Sequence, residues 1–123
     1  MTGPVLRAVR GATTCEADTP EQINAATVEL LEAILERNAI SHDDIVSILF
    51  TTTVDLTSAF PAAAARTIGM GDIPLICASE IAVPGSMSKC VRVMLHVYSD
   101  LERDAIRHVY LKNAQSLRDD LPG

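Results

Sequence analysis

Apolar residues recur along this chain with two periods, and the switches between them mark out seven elements. From Val5 to Thr14 the side chains alternate, Leu6, Ala8 and Arg10 on one side and Val5, Arg7 and Val9 on the other, which reads as a first strand. Gly11 is expected to end its regular part or to bulge it. Thr19-Pro20-Glu21-Gln22 is a helix start, with Thr19 as N-cap, Pro20 at the first helical position and Gln22 completing a capping box. Ile23, Ala26, Leu30, Leu31, Ile34 and Leu35 then recur at helical spacing to about Arg37. Ser41 to Asp44 reads as a turn, and Ile45 to Thr53 as a β-branched interior strand. The run from Thr57 to Pro61 opens a shorter helix, with Pro61 near its first position, that Gly69 stops. Ile73 to Ala78 is a short strand, and Val83 to Ser86 a turn. A strand follows from Cys90, then a polar link from Leu101 to Asp104, then a last strand-like run from Ile106 to Leu111. The tail from Leu117 to Gly123 is polar and carries Pro122, the composition of a mobile end. The order β-α-β-α-β-β-β predicts an α/β domain over residues 1–123, with one mixed sheet and helices over one face.

The strand from Cys90 to Tyr98 holds the least expected residue. Val91, Val93, Leu95 and Val97 form an aliphatic face, and Cys90, Arg92, Met94, His96 and Tyr98 a half-polar one. A guanidinium stays charged in any protein environment. Arg92 therefore faces solvent, or it requires an anion from the protein or from a ligand.

Composition narrows the choice of ligand. The chain has 123 residues, is 48% hydrophobic and contains two Phe, two Tyr and no Trp, so its core must be aliphatic. Its formal charge of −6 and lack of a basic cluster argue against nucleic acid and anionic membranes as partners. No apolar run approaches the roughly 20 residues that span a bilayer. Cys15, Cys77 and Cys90 are odd in number and lack C-x-x-C spacing, which points to free thiols in a reducing cytoplasm. Met1-Thr2-Gly3-Pro4 shows no secretory pattern, so a soluble intracellular protein is expected.

The sequence lacks G-x-G-x-x-G, P-loop, H-E-x-x-H and G-x-S-x-G motifs. His42, His96 and His108 fall on separate segments without ligand spacing, so no metal is expected. Cys77 with His108 as base is left open as a nucleophilic pair. What remains is arginine on separate elements: Arg10, Arg66, Arg92 and Arg118, among eight Arg and two Lys. Converging guanidiniums hold carboxylates bidentately. The residues thus point to a small polycarboxylate and to chemistry that needs only positioning and charge stabilisation.

Several segments, in order, carry a resemblance. They are Arg10-Gly11-Ala12-Thr13-Thr14, Asp55 to Ala62 with Arg66, Cys77 with Glu80, Cys90-Val91-Arg92-Val93, Arg107 to Leu111, and Leu117-Arg118. Together they resemble the AroH-type chorismate mutases, the monofunctional, non-helical class. The resemblance implies a homotrimeric pseudo-α/β-barrel with active sites between subunits, converting chorismate to prephenate in phenylalanine and tyrosine biosynthesis without cofactor or metal. It implies that Arg92 meets the ether oxygen of the breaking bond and a substrate carboxylate, and that Glu80 accepts from the ring hydroxyl. Arg10 would clamp a carboxylate with Tyr110 beside it. Phe60, Ala62, Leu75, Ile76 and Cys77 would pack on the ring from the adjacent subunit. Arg66 and Arg118 would stand at the mouth, with Leu117 and the tail closing over it.

Two positions depart from the family pattern. Ala63 stands where relatives can carry a charge, which shifts capture toward Arg66, and Asp119 stands where Pro is usual, adding a negative charge beside Arg118. Arg7 and Arg107 read instead as inter-strand or subunit salt-bridge partners. Rival readings are a trimeric imine deaminase, a non-catalytic metabolite-binding trimer and a structural interaction protein. The pairing of Glu80 with Arg92 argues against pure binding, which needs no group aimed at a breaking bond.

Overall fold

The computed structural model describes residues 3–118. In chain order the elements are β1 (Val5–Thr14), α1 (Pro20–Arg37), β2 (Ile45–Thr52), α2 (Pro61–Thr67), β3 (Leu75–Ser79), β4 (Cys90–Ser99) and β5 (Val109–Tyr110). The strands form one sheet in the order β3-β2-β4-β1-β5. β4 is central and antiparallel to both β1 and β2, while the outer pairs β2–β3 and β1–β5 are parallel. The sheet is therefore mixed, as the element order predicts.

Both helices cover one face. Val9, Phe50, Val93, Leu95 and Val97 of the sheet pack against Leu30, Leu31 and Ile34 of α1 and Ala65 of α2. A register shift between Ile45 and Ser47 lets Ile45 join this core while Ser47 lies opposite His96 on the other face. That other face carries neither α-helix; a 3-10 run, Lys112–Arg118, packs over its Ala12 and Cys90, and Leu6, Leu49, Ile76 and Tyr98 remain exposed.

α1 starts where its capping signal stands. The Gln22 N–H donates to Thr19 Oγ1 at 3.1 Å, with Thr19 extended and Pro20 opening the first turn. α2 begins at Pro61, near the first helical position as the sequence predicts, and Thr57 and Ser58 before it are committed elsewhere. Their amides and hydroxyls all donate to the Asp18 carboxylate, at 2.6 to 3.1 Å. These bonds, the Ser58 hydroxyl foremost, hold the pKa of Asp18 below the ordinary carboxylate value.

Three expectations need correction. Gly11 neither ends nor bulges β1, since Arg10, Gly11 and Ala12 pair in unbroken register with Met94, Val93 and Arg92. Its glycine serves close packing: a Cβ there would lie 2.8 Å from Ile34 Cδ1 and 3.2 Å from the Val109 carbonyl. β3 begins two residues late because Pro74 has no N–H to give a ladder and the Ile73 N–H turns back to Met70 O. The last strand shrinks to two residues because the backbone before it is bonded to side chains. The polar link also holds a short 3-10 turn, Arg103–Ala105, and the chain after β5 forms a 3-10 run, Lys112–Arg118, that the pattern did not reveal. Leu117, where the sequence predicts a mobile tail to begin, belongs to this run and packs on a buried cluster, and residues 119–123 lie outside the described residues.

Buried Asn38, just past α1, makes that side-chain clamp. Its Oδ1 accepts the Arg107 N–H at 2.7 Å, and its Nδ2 donates to Arg107 O at 2.9 Å and to Ile34 O at 3.0 Å. One residue on, His108 Nδ1 accepts the Arg10 N–H at 3.0 Å. An imidazole thus stands where a longer β5 would have supplied a carbonyl. Burial, aided by the nearby Arg10 charge, pushes the pKa of His108 below its usual 6.5.

Asn38→Ala is expected to cost about 2–3 kcal/mol, because it strands buried backbone groups; an unchanged denaturant midpoint would refute the clamp. The lowered His108 pKa means that the unfolded chain takes up the proton first. Its stabilisation is complete above pH 6.5 and drains away as pH falls toward the lowered folded value. His108→Asn keeps an acceptor near the Nδ1 position without a proton to gain. The stability gap between that variant and the wild type should therefore open only on acidification, and a gap independent of pH would contradict the assignment.

Candidate active site

β4 sets the centre of the site. With Val91, Val93, Leu95 and Val97 buried, the strand alternation sends Arg92 to the face opposite α1 and α2. The register places Ala12 of β1 on one side of Arg92 and Thr51 of β2 on the other. Arg92 Nη1 lies 3.7 Å from Glu80 Oε1, with the arginine side chain 46% exposed and the glutamate 25%. Glu80 follows directly on β3. Its N–H donates to Thr52 O at 2.9 Å, and its Oε2 accepts a hydrogen bond from the Thr51 hydroxyl.

Arg10 and Tyr110 complete the constellation. Arg10 sits two residues before Ala12 on the same face of β1, and Tyr110 of β5 pairs with Ala12 from the far side. Arg10, Thr51, Glu80, Arg92 and Tyr110 line one cleft of about 230 Å³. Two guanidiniums against one carboxylate give this cleft a net positive charge in a chain of formal charge −6. Such a lining suits a small dianion.

A second hollow, of about 270 Å³, opens on the other side of the Glu80–Arg92 pair. Its walls are mostly apolar: Ile81, Val83, Met87, Cys90 and Leu117. Burial pushes the Cys90 thiol up to about 11, so this sulfur is an uncharged wall and not a nucleophile. Leu117 packs against the cluster of Ala12, Cys90, Tyr110 and Ala114. The side chain of Arg118 and all of Asp119 lie outside the described residues.

The remaining sequence candidates gather elsewhere. Phe60 stands at the N-terminus of α2, 73% exposed, and with Cys77 lines a separate groove of about 380 Å³. Ile76 is exposed, Leu75 and Cys77 lean on the core, Ala62 is buried behind Phe60, and Arg66 is exposed in the last turn of α2. None of these six lines the cleft that holds Arg92.

Within one chain, the Cys77–His108 pair left open by the sequence is ruled out by topology. Cys77 is on the edge strand β3, and His108 precedes the opposite edge strand β5. Four strand spacings separate those edges, about 19 Å. Arg7 forms the expected ion pair, with Glu102 at 3.4 Å, but Arg107 donates to the Asp104 carbonyl and pairs with no carboxylate among the described residues.

Sequence reasoning passed over Thr51, Asn38 and Asp18, and weighed His108 only as a metal ligand or a base, not as the acceptor of the Arg10 N–H. Thr51 had a faint signal, since it shares its strand face with Leu49 across from the Arg92 face of β4. The others act by hydrogen bonds between distant segments, which no local pattern announces.

Comparisons with known proteins agree with this geometry. The family model for chorismate mutase type I matches residues 6–121. The chain is 51% identical over 118 residues to chorismate mutase AroH of Thermus thermophilus, covering 95% of this chain and 97% of that one. It is 45% identical over 118 residues to chorismate mutase AroH of Bacillus subtilis, covering 95% and 93%. A solved chorismate mutase from Clostridium thermocellum superposes with a TM-score of 0.88 at 49% identity, over 89% of this chain and 98% of that one. The resemblance read from six short segments thus extends along nearly the whole chain and into three dimensions, and the chain belongs to the type I, AroH-type family of chorismate mutases.

Proposed function

We propose that the chain isomerises chorismate to prephenate in clefts between three copies of itself, with Arg92 and Glu80 acting on the reacting bond. The observation that carries this reading is the facing of Arg92 and Glu80, 3.7 Å apart, in a cleft of net positive charge. The rearrangement breaks an ether C–O bond and forms a C–C bond within one molecule, so no group passes to the protein. Catalysis then consists of holding the enolpyruvyl arm over the ring and favouring the charge separation of the transition state. Negative charge gathers on the ether oxygen, and the Arg92 guanidinium beside it serves as an oxyanion hole does. Glu80 accepts from the ring hydroxyl and fixes the ring. Arg10 clamps a carboxylate, with the Tyr110 ring beside it. None of these roles calls for a metal or cofactor.

Two observations support completion of the cleft by a neighbour. Phe60 and Cys77 line a groove apart from Arg92 within their own chain, as if presented to another copy. The sheet face opposite α1 and α2 leaves Leu6, Leu49, Ile76 and Tyr98 in contact with solvent, a concentration of apolar surface that favours association. In the trimer, Phe60 with Ala62 behind it, and Leu75, Ile76 and Cys77, pack on the ring from the adjacent copy. Arg66 and Arg118 draw the dianion to the mouth, and Leu117 covers it. Among the described residues no helix is long and apolar enough to cross a membrane, and a cytoplasmic location suits the three free thiols.

Purified protein with a metal chelator present should consume chorismate saturably, followed by loss of its ultraviolet absorbance, with prephenate as product. Arg92→Ala should lose about 10²–10³ in rate while keeping a trimeric mass in sedimentation. Arg92→Lys should also be poor, because an ammonium cannot replace the planar fork; near-normal turnover in either variant would sink the assignment. Catalytic efficiency should fall with rising ionic strength, since capture of a dianion by a protein of charge −6 depends on local positive potential. An efficiency indifferent to salt would remove the steering role of the arginines.

A further inference from the structure

A carboxylate beside a guanidinium tends to close into a bidentate pair, with charge-assisted bonds of about 2.7–2.9 Å. Glu80 and Arg92 do not: they stand 3.7 Å apart, although the arginine side chain is half-exposed. What keeps Glu80 back is β2. Its N–H is held by Thr52 O at 2.9 Å, and its Oε2 by the Thr51 hydroxyl. Thr51 lies directly opposite Arg92 in the β2–β4 register, so hydroxyl, carboxylate and guanidinium share one face and one cleft. Beyond Ser79 the chain runs from residue 80 to residue 89 without helix or strand, so little else in the backbone fixes the Glu80 side chain. A β-branched residue in a strand has few χ1 choices, and Thr51 therefore aims its hydroxyl in a set direction.

We propose that Thr51 is a positioning residue for the reaction: its hydroxyl anchors one oxygen of Glu80, so that the carboxylate and the Arg92 guanidinium stay available to substrate instead of neutralising each other. This rests on the roles of Glu80 and Arg92 proposed above. Without the hydroxyl, Glu80 swings onto Arg92 and occupies the N–H donors that the breaking ether bond requires. The loss falls on the transition state more than on substrate binding, because Arg10 and the apolar walls are untouched.

The test compares Thr51→Val, which keeps shape and branching, with Thr51→Ser, which keeps the hydroxyl, each alone and in a Glu80→Ala background. Turnover of chorismate by assembled trimer is the readout. Thr51→Val should lower kcat on the order of tenfold with little change in KM, and Thr51→Ser should recover most of the loss. In the Glu80→Ala background Thr51→Val should cost nothing more, because Thr51 acts only through that carboxylate. An unchanged kcat in Thr51→Val, no advantage of Ser over Val, or an equal cost with Glu80 absent would each overturn the inference while leaving the mutase reading intact. A wild type that does not convert chorismate would overturn that reading first, and the inference with it.

Discussion

A guanidinium in the middle of a sheet cannot shed its charge, and the arrangement around β4 follows from that. Neighbouring residues of a strand point to opposite faces, so Val91 and Val93 can be wholly committed to the core while Arg92 between them is wholly excluded from it. The core under α1 and α2 fixes the strand, and the strand fixes where the charge stands. Backbone geometry shared with the most buried part of the chain gives Arg92 a defined position without a buried ion pair, whose desolvation would be costly. The half-exposed setting keeps the charge affordable and keeps it open to a ligand.

The acidic residues that define the site are spent on amides and hydroxyls more than on arginines. Asp18 takes the donors of Thr57 and Ser58 and so fixes the approach to Phe60. Asp55 takes the Lys89 N–H, just before β4 begins, and its pKa is held down chiefly by the Thr53 hydroxyl. Glu80 takes the Thr51 hydroxyl. Among the described residues only Arg7 and Arg92 form arginine–carboxylate pairs, and Arg10 forms none. An acidic chain can thereby present a locally positive cleft: Asp18 and Asp55 are turned to loop amides and hydroxyls, while Arg10 and Arg92 face the cleft with Glu80.

The elements of this fold were legible where local physics decides them. Thr19 and Pro20 fix the start of α1, and the alternation from Val91 to Val97 fixes which way Arg92 points. Legibility ended where distant segments compete for the same backbone groups. Ile106 to Leu111 reads as a strand, yet Asn38 takes both backbone groups of Arg107 and His108 turns its ring to Arg10, so only Val109 and Tyr110 pair as a strand. Gly11 shows the limit most clearly. A glycine in a strand pattern predicts a local break, whereas here the chain is regular and the constraint comes from Ile34, across the helix–sheet interface. Arg92 and Arg10 were readable as candidate guanidiniums from pattern and composition, whereas Glu80 and Tyr110 entered only through the family's segments, since spacing alone does not reveal that these four meet.

Gly11 also ties the site to the core in a way that matters for the chemistry. It lines the cleft between Arg10 and Ala12, and on its other side it admits Leu30 and Ile34 of α1 to within van der Waals distance. A side chain there would have to push aside the tips of Ile34 and Leu30 and press on the Val109 carbonyl, and β1 carries Arg10 in register with Met94, two residues from the Arg92 pairing. Close packing transmits such a shift instead of absorbing it. The backbone positions that carry Arg10 and Arg92 are therefore tied to the packing of α1 behind β1. A reaction that depends on fixed charges at fixed separation gains from being mounted on the least compressible part of the molecule.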